Sequence, residues 1–349
     1  MSQAHSTTCG PKQDLDESGL VPTLQSWHEY SESTKKWSPV PSADESSLPK
    51  ESEHTSDEDF RLVLATRNVN AFGPQPHARL NAIFSHAIAH APSPDIIFLQ
   101  EVSRPMLGSL LNNAEVCRGW YSSENDSTNW MGAFGTMTLL SRSRLSTVGD
   151  TTLAILGRVS RIRYPSMMRR DALCGDIFIP TKPRSSPQPH YIRATLINVH
   201  LESTNGPKCS SYRDNQFSVA SSILYGTGYG LIAGDFNPVD PHDETIIEKN
   251  GLQDAWEVLR KRDPGYTWGV DGKERYPACR MDKVAILGLR PTHIEVMHPR
   301  EILLPALNAS APDSDNMGLE RNLSLKTTPW SDHSGLKFSF VIDVGKSVE

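Results

Sequence analysis

The chain has 349 residues, of which 37% are hydrophobic, enough for one large or two ordinary domains with a sizeable core. Its formal net charge of -6 excludes a general attraction to nucleic acid, so a polyanionic substrate must be held by local groups. Five scattered cysteines (Cys9, Cys117, Cys174, Cys209, Cys279), with no Cys-x-x-Cys and no close histidine partner, argue against a zinc site or a disulfide framework and for a reduced setting.

In chain order, residues 1–57 are rich in Ser, Pro and mixed charge, and their apolar residues show no sustained period. The segment reads as a disordered tail with a short protein-binding stretch around Val21 to Tyr30. It lacks a basic n-region and an apolar h-region, and no apolar run in the chain approaches bilayer length. An intracellular protein of the nucleus or cytoplasm, without a membrane span, is expected. The catalytic domain is expected over 58–349.

Within it, strands are predicted at Phe60 to Val69, Asp95 to Gln100, Ala133 to Leu140, Ala172 to Ile179 and Tyr191 to Val199. Further strands follow at Gly230 to Ala233, Met281 to Leu287, Thr292 to Val296 and Leu336 to Ile342. Helices are predicted at His77 to His90, Arg104 to Asn112, Ser211 to Tyr225, Thr245 to Asn250 and Asp254 to Arg262. Strands between Ala133 and Val199 succeed one another without room for crossover helices, which favours stacked sheets with outer helices over one parallel sheet. Ala306 to Thr328 is polar and without period, and is expected to form a long loop beside the site.

Several strands end on polar groups. Gly230-Leu231-Ile232-Ala233-Gly234 stops at Asp235, and Asn237 shares its face two residues on. Asn68, Glu101 and His200 close three other apolar runs, Asp332-His333 precedes the last strand, and Asp282 lies at a strand start. Adjacent strands would bring these ends to one rim.

An oxygen-rich set of Glu101, Asp235, Asn68, Asn237 and Asp332, without a thiolate, suits a hard cation, Mg²⁺ with Mn²⁺ as a substitute. Histidines beside it suit charge developing on phosphoryl oxygens, so metal-assisted phosphoester hydrolysis is the natural chemistry. Glu101 and Asp332 are the metal candidates. Asp235 would orient or deprotonate water, Asn237 and Asn68 would fix it, His333 and His200 would stabilise the transition state, and Asp282 would hold His333. Trp268 offers a stacking face, and Arg169 or Arg170, together with Arg280, offers phosphate contacts.

The blocks Arg67-Asn68, Leu99-Gln100-Glu101-Val102, His200-Leu201-Glu202-Ser203, Gly234-Asp235-Phe236-Asn237 and Ser331-Asp332-His333 resemble, in order, those of the endonuclease/exonuclease/phosphatase superfamily. The resemblance implies a DNase I-like four-layer α/β sandwich, two central mixed β-sheets flanked by helices, and Mg²⁺ dependence. Within that superfamily the 5′-type tyrosyl-DNA phosphodiesterases are most similar, through His200-Leu201-Glu202-Ser203-Thr204, Arg213-Asp214-Asn215-Gln216, Tyr164-Pro165-Ser166-Met167-Met168-Arg169, Asp254-Ala255-Trp256-Glu257 and Tyr266-Thr267-Trp268. This adds Ser203 to the substrate-contacting candidates. It implies a monomeric enzyme acting on DNA 5′ ends in DNA repair. The pattern departs where Arg67 stands in place of the usual Trp before Asn68. Alternatives are a superfamily phosphoesterase for lipid, inositol or nucleotide substrates or abasic DNA, and an inactive binding scaffold.

Overall fold

The computed structural model describes residues 20–49, 60–147, 154–181, 190–305 and 325–342. The N-terminal segment contributes β1 (Thr23–Gln25), β2 (Trp27–Ser31) and β3 (Lys36–Val40). Next come β4 (Arg61–Asn68), α1 (Pro76–Ala89), β5 (Ile96–Ser103), α2 (Arg104–Leu111), α3 (Ala114–Gly119), β6 (Trp120–Ser122), β7 (Phe134–Ser141) and β8 (Leu145–Ser146). The middle supplies β9 (Ala154–Arg163), β10 (Asp171–Thr181), β11 (His190–His200), α4 (Pro207–Thr227) and β12 (Gly230–Asp235). After α5 (Ile246–Lys249) follow β13 (Gln253–Asp254), α6 (Ala255–Arg260), β14 (Asp282–Leu287), β15 (Leu289–Met297), β16 (Glu301–Pro305), β17 (Leu325–Pro329) and β18 (Gly335–Ile342).

Two mixed sheets form the centre. One has the order β1-β9-β10-β11-β12-β14-β13, with β8 on β9; the other runs β15-β18-β4-β5-β7-β6-β2-β3. The alternation of strand side chains makes each sheet apolar on both faces. Leu62, Leu64, Ile96, Phe98, Phe338 and Phe340 meet Leu173, Leu196, Leu231, Ala233, Val284 and Ile286 between the sheets. On the outer faces, Ala65, Ile97 and Leu99 pack under Leu80, Phe84, Met106 and Leu110 of α1 and α2. Ile197, Val199 and Ile232 pack under Phe217, Ala220 and Leu224 of α4. The result is helix, sheet, sheet, helix, the four-layer sandwich expected.

The expectation of a disordered tail is corrected for residues 20–49. β1 pairs with β9 of one sheet while β2 pairs with β6 of the other, so the segment straps the two together. Trp27 is fully buried in the central core, and its indole N–H donates to the Gly157 carbonyl (3.0 Å). The stretch Val21 to Tyr30 is thus part of the sandwich, not a free docking segment. One aromatic in a polar context carries no periodic signal, and its burial requires partners more than 100 residues away. Residues 325–328, expected in a loop, pair with β16 as part of β17; residues 306–324 lie outside the described residues.

Register assembles the rim. His200 pairs with Asp235 across parallel β11 and β12, and Asp235 pairs with Asp282 across antiparallel β12 and β14. In the facing sheet Asn68 pairs with Gln100 across parallel β4 and β5, and 331–334 leads into β18 beside β4. Strand spacing of about 4.8 Å then places these groups in one row per sheet.

Candidate active site

Asp235 is the centre of the cluster. Its Oδ2 accepts the Asn68 amide (3.0 Å) and lies 3.5 Å from Nε2 of His200 and 3.8 Å from Nε2 of His333; its Oδ1 accepts the Asn237 backbone N–H (3.0 Å). Burial pushes the carboxyl up to about 6; the His333 charge opposes the rise and Asp282 adds to it. A carboxyl poised near neutrality can both accept and hold a proton. Gly234 lets the strand end this way: at φ +140° a Cβ there would run into the Val199 carbonyl.

Glu101 reaches the rim through a β-bulge. The β5–β7 register shifts between Leu99 and Val102, and Glu101 adopts φ 58°, turning its side chain out of the ladder. Its Oε2 accepts the Ala71 N–H (2.9 Å), while Oε1 lies 3.8 Å from His200 Nε2. Asn237, at φ 48°, and Arg169, at φ 61°, are also left-handed, so three non-glycine residues around one rim hold a conformation that costs about 1–3 kcal/mol each. Beneath the rim, buried Gln100 donates to Asn198 Oδ1 (2.8 Å) and Thr66 Oγ1 (3.1 Å), and Asn198 donates to the Leu99 and Met137 carbonyls. These amides tie the sheets together under the site. Both residues sit within apolar strand runs, where a central polar residue is the signal available from sequence.

The two histidines differ in charge. His333 Nδ1 lies 2.9 Å from Asp282 Oδ2, and the Asp282 backbone N–H donates to Thr267 Oγ1 (3.0 Å). Burial pulls the His333 pKa down, but the carboxylates of Asp282 and Asp235 outweigh it and raise it to about 10. His200 has a cation as its partner, since Arg170 Nη1 donates to its Nδ1 (3.0 Å). Because a guanidinium only donates, Nδ1 accepts and Nε2 carries the hydrogen toward Asp235 and Glu101. Burial first, then the charges of Arg170 and His333, holds this imidazole well below its ordinary pKa, so its contacts to the two carboxylates are those of a neutral ring.

The structure distinguishes the arginines. Arg170 is buried, lies 5.4 Å over the Phe134 ring and touches His200; Arg169 is exposed and donates to the Met131 carbonyl (2.9 Å). Arg280, expected to meet phosphate, is a correction: Asp254 (2.9 and 2.7 Å) and Glu257 (3.3 Å) take its terminal nitrogens, because a buried guanidinium needs carboxylate partners. Trp268 is half-buried, with backbone bridges to Cys279 and His333. Ser203 donates its hydroxyl to Met168 Sδ (2.9 Å). A cleft opens beside His200, lined by Trp130, Met131, Phe134, Met168, Arg169 and Arg170. Phe134, stacked on His200 at 6.1 Å and edge-on to exposed Phe72 at 5.7 Å, escaped the sequence reading because it opens an ordinary apolar strand.

Among the described residues no three His, Cys, Asp or Glu side chains are placed to hold a metal ion. Asp332 is exposed, near Ser331 Oγ (3.4 Å), and no ion pair or hydrogen bond joins it to Glu101 among the described residues. The donor chemistry nevertheless fits a hard divalent cation: the bulge turns the Glu101 carboxylate out of the ladder with only Oε2 in a hydrogen bond among the described residues, and the Asp235 carboxylate and the side-chain amides of Asn68 and Asn237 share the rim.

No protein-family model and no curated protein matches the chain by sequence. Solved structures do match it by fold. Crystallised D. rerio TDP2 complexed with single-strand DNA product is 20% identical with a TM-score of 0.56, covering 81% of this chain and 99% of that one. Truncated Caenorhabditis elegans TDP2 is 18% identical with a TM-score of 0.54, covering 81% and 98%. An endonuclease/exonuclease/phosphatase family protein from Bacteroides thetaiotaomicron is 14% identical with a TM-score of 0.55, covering 84% and 99%. The chain has the endonuclease/exonuclease/phosphatase fold.

Proposed function

We propose that the protein is a Mg²⁺-dependent phosphodiesterase acting on DNA 5′ ends, with a 5′-tyrosyl adduct as its substrate. The observation that carries the chemistry is Asp235, a buried carboxyl between a charged His333 and the Asn68 amide, with its proton affinity raised toward neutrality. Asp235 orients and deprotonates the attacking water, and Asn68 and Asn237 fix that carboxylate. His333, kept cationic by Asp282, stabilises charge on the phosphoryl oxygens, while the His200 Nε2–H and the Arg170 guanidinium supply donors from the other side. Glu101, with Asp332 as a further oxygen at the rim, would hold Mg²⁺. When bound, the cation polarises the phosphoryl oxygen and eases departure of the leaving group.

Three features support the DNA-end reading. The sequence blocks resemble those of 5′-type tyrosyl-DNA phosphodiesterases, a structural neighbour was crystallised with a single-strand DNA product, and an aromatic, cationic cleft adjoins His200. Trp268, half-buried and bridged through its backbone to His333, offers a stacking surface. The test incubates the protein and Mg²⁺ with an oligonucleotide bearing a 5′ phosphotyrosine, an abasic-site duplex, a plain 5′-phosphorylated strand, and lipid and nucleotide phosphoesters. Selective tyrosine release is expected. Turnover of another substrate with the adduct left intact overturns the substrate assignment.

A further inference from the structure

We infer that Ser166 and Glu202 form a positioning device for the active site: the Ser166 hydroxyl, gripped by the buried Glu202 carboxylate, sets the turn that seats the Arg170 guanidinium on His200. The inference rests on the reaction proposed above only for its kinetic consequences; the geometry stands by itself.

Glu202 is fully buried two residues beyond His200, and no ion pair reaches its carboxylate among the described residues; the Arg213 guanidinium meets Glu202 only at its backbone carbonyl (3.1 Å). The carboxylate charge is satisfied by four donors. Oε2 accepts the Ser166 hydroxyl (2.5 Å) and the Gln216 amide (3.2 Å), and Oε1 accepts the backbone N–H groups of Met167 and Met168 (both 3.1 Å). Gln216 in turn accepts the Glu202 N–H (2.9 Å) and donates to the Pro165 carbonyl (3.0 Å), so α4 fixes both sides of the contact. A buried carboxylate with only neutral donors binds through short, directional hydrogen bonds, and here three of the four come from one loop.

Ser166 is the hub of that loop. Having given its proton to Glu202, its Oγ accepts the N–H groups of Met168 (3.1 Å) and Arg170 (2.9 Å). The turn passes through Arg169 in a left-handed conformation, and Arg170 emerges over Phe134 with Nη1 on His200 Nδ1. Without the hydroxyl, nothing among the described contacts compensates the Arg170 N–H at this turn. The guanidinium then loses the seat from which it selects the Nε2–H tautomer of His200.

The test reads the His200 ring by ¹⁵N NMR and steady-state kinetics on the phosphotyrosyl oligonucleotide. In the wild type one tautomer is expected, with Nδ1 unprotonated and accepting. Ser166→Ala is expected to mix the tautomers and lower kcat on the order of tenfold with little change in KM. Ser166→Thr, which keeps the hydroxyl, restores both. In an Arg170→Ala background the further substitution Ser166→Ala costs nothing more, because the hydroxyl acts through Arg170. A single tautomer in Ser166→Ala, or an undiminished loss in the Arg170→Ala background, overturns the inference. Because the ring spectrum needs no substrate, absence of phosphotyrosyl turnover would defeat the proposed substrate and leave the positioning result readable.

Discussion

His200 and His333 approach one carboxylate, Asp235, from different elements, and their outer nitrogens meet opposite charges. Arg170 faces His200 and keeps it neutral as a donor at Nε2; Asp282 faces His333 and keeps it charged. Two identical side chains at equal burial thus take different roles. Burial lowers the pKa of both rings; the carboxylates around His333 outweigh it, whereas at His200 the charge of Arg170 adds to it. In the proposed reaction a phosphoryl group between them would meet a cation on one side and a neutral donor backed by a cation on the other.

The largest break in that arrangement is expected from Asp235→Asn, which removes the group both rings face. Turnover should fall by about 10³–10⁴, comparable to loss of a general base, with circular dichroism unchanged; near-normal turnover would sink the mechanism. Asp282→Asn should come next, on the order of 10² in kcat/KM, because it strips His333 of the partner that holds it charged. Its alkaline limb should also move to lower pH, as read from the pH profile of kcat/KM.

On the other ring, Arg170→Ala should cost roughly tenfold in kcat, the weight of one charge-assisted donor. The contrast has a stability signature too. The folded pKa of His333, about 10, lies above its ordinary 6.5, so its stabilisation is complete below about 6.5 and is lost as pH rises through about 10. The urea midpoint of the wild type should therefore drop more between pH 7 and pH 10.5 than that of His333→Gln. The smallest effect belongs to Arg169→Ala, within about twofold in kcat/KM, since among the described residues its exposed guanidinium meets only the Met131 carbonyl. A loss as large as that of Arg170→Ala would reverse the assignment of the two arginines.

Sequence reading went furthest where one local rule sufficed. Strand ends such as Ala233-Gly234-Asp235 and Val199-His200 are legible because an apolar run that stops on a polar group has one physical meaning, a buried strand reaching solvent. It failed for Trp27 and the strap it anchors, for Arg280, and for the choice between Arg169 and Arg170. In each case the deciding partner, Gly157, Asp254 or His200, is at least 26 residues away in the chain. No periodicity of 2.0 or 3.6 encodes such a pairing.

By itself, then, the sequence determined most of the central strands, the outer helices α1, α2 and α4, and which polar groups end those strands, because alternation and strand length are local properties of the chain; it showed no sign of β9, which pairs with β1 and β10 inside one sheet. Tertiary structure alone decided which nitrogen of each histidine meets a cation or an anion, where the bulge turns Glu101, and that the N-terminal segment belongs to both sheets. Charge states and seats depend on distances between groups far apart in sequence, and only the register of the two sheets sets those distances.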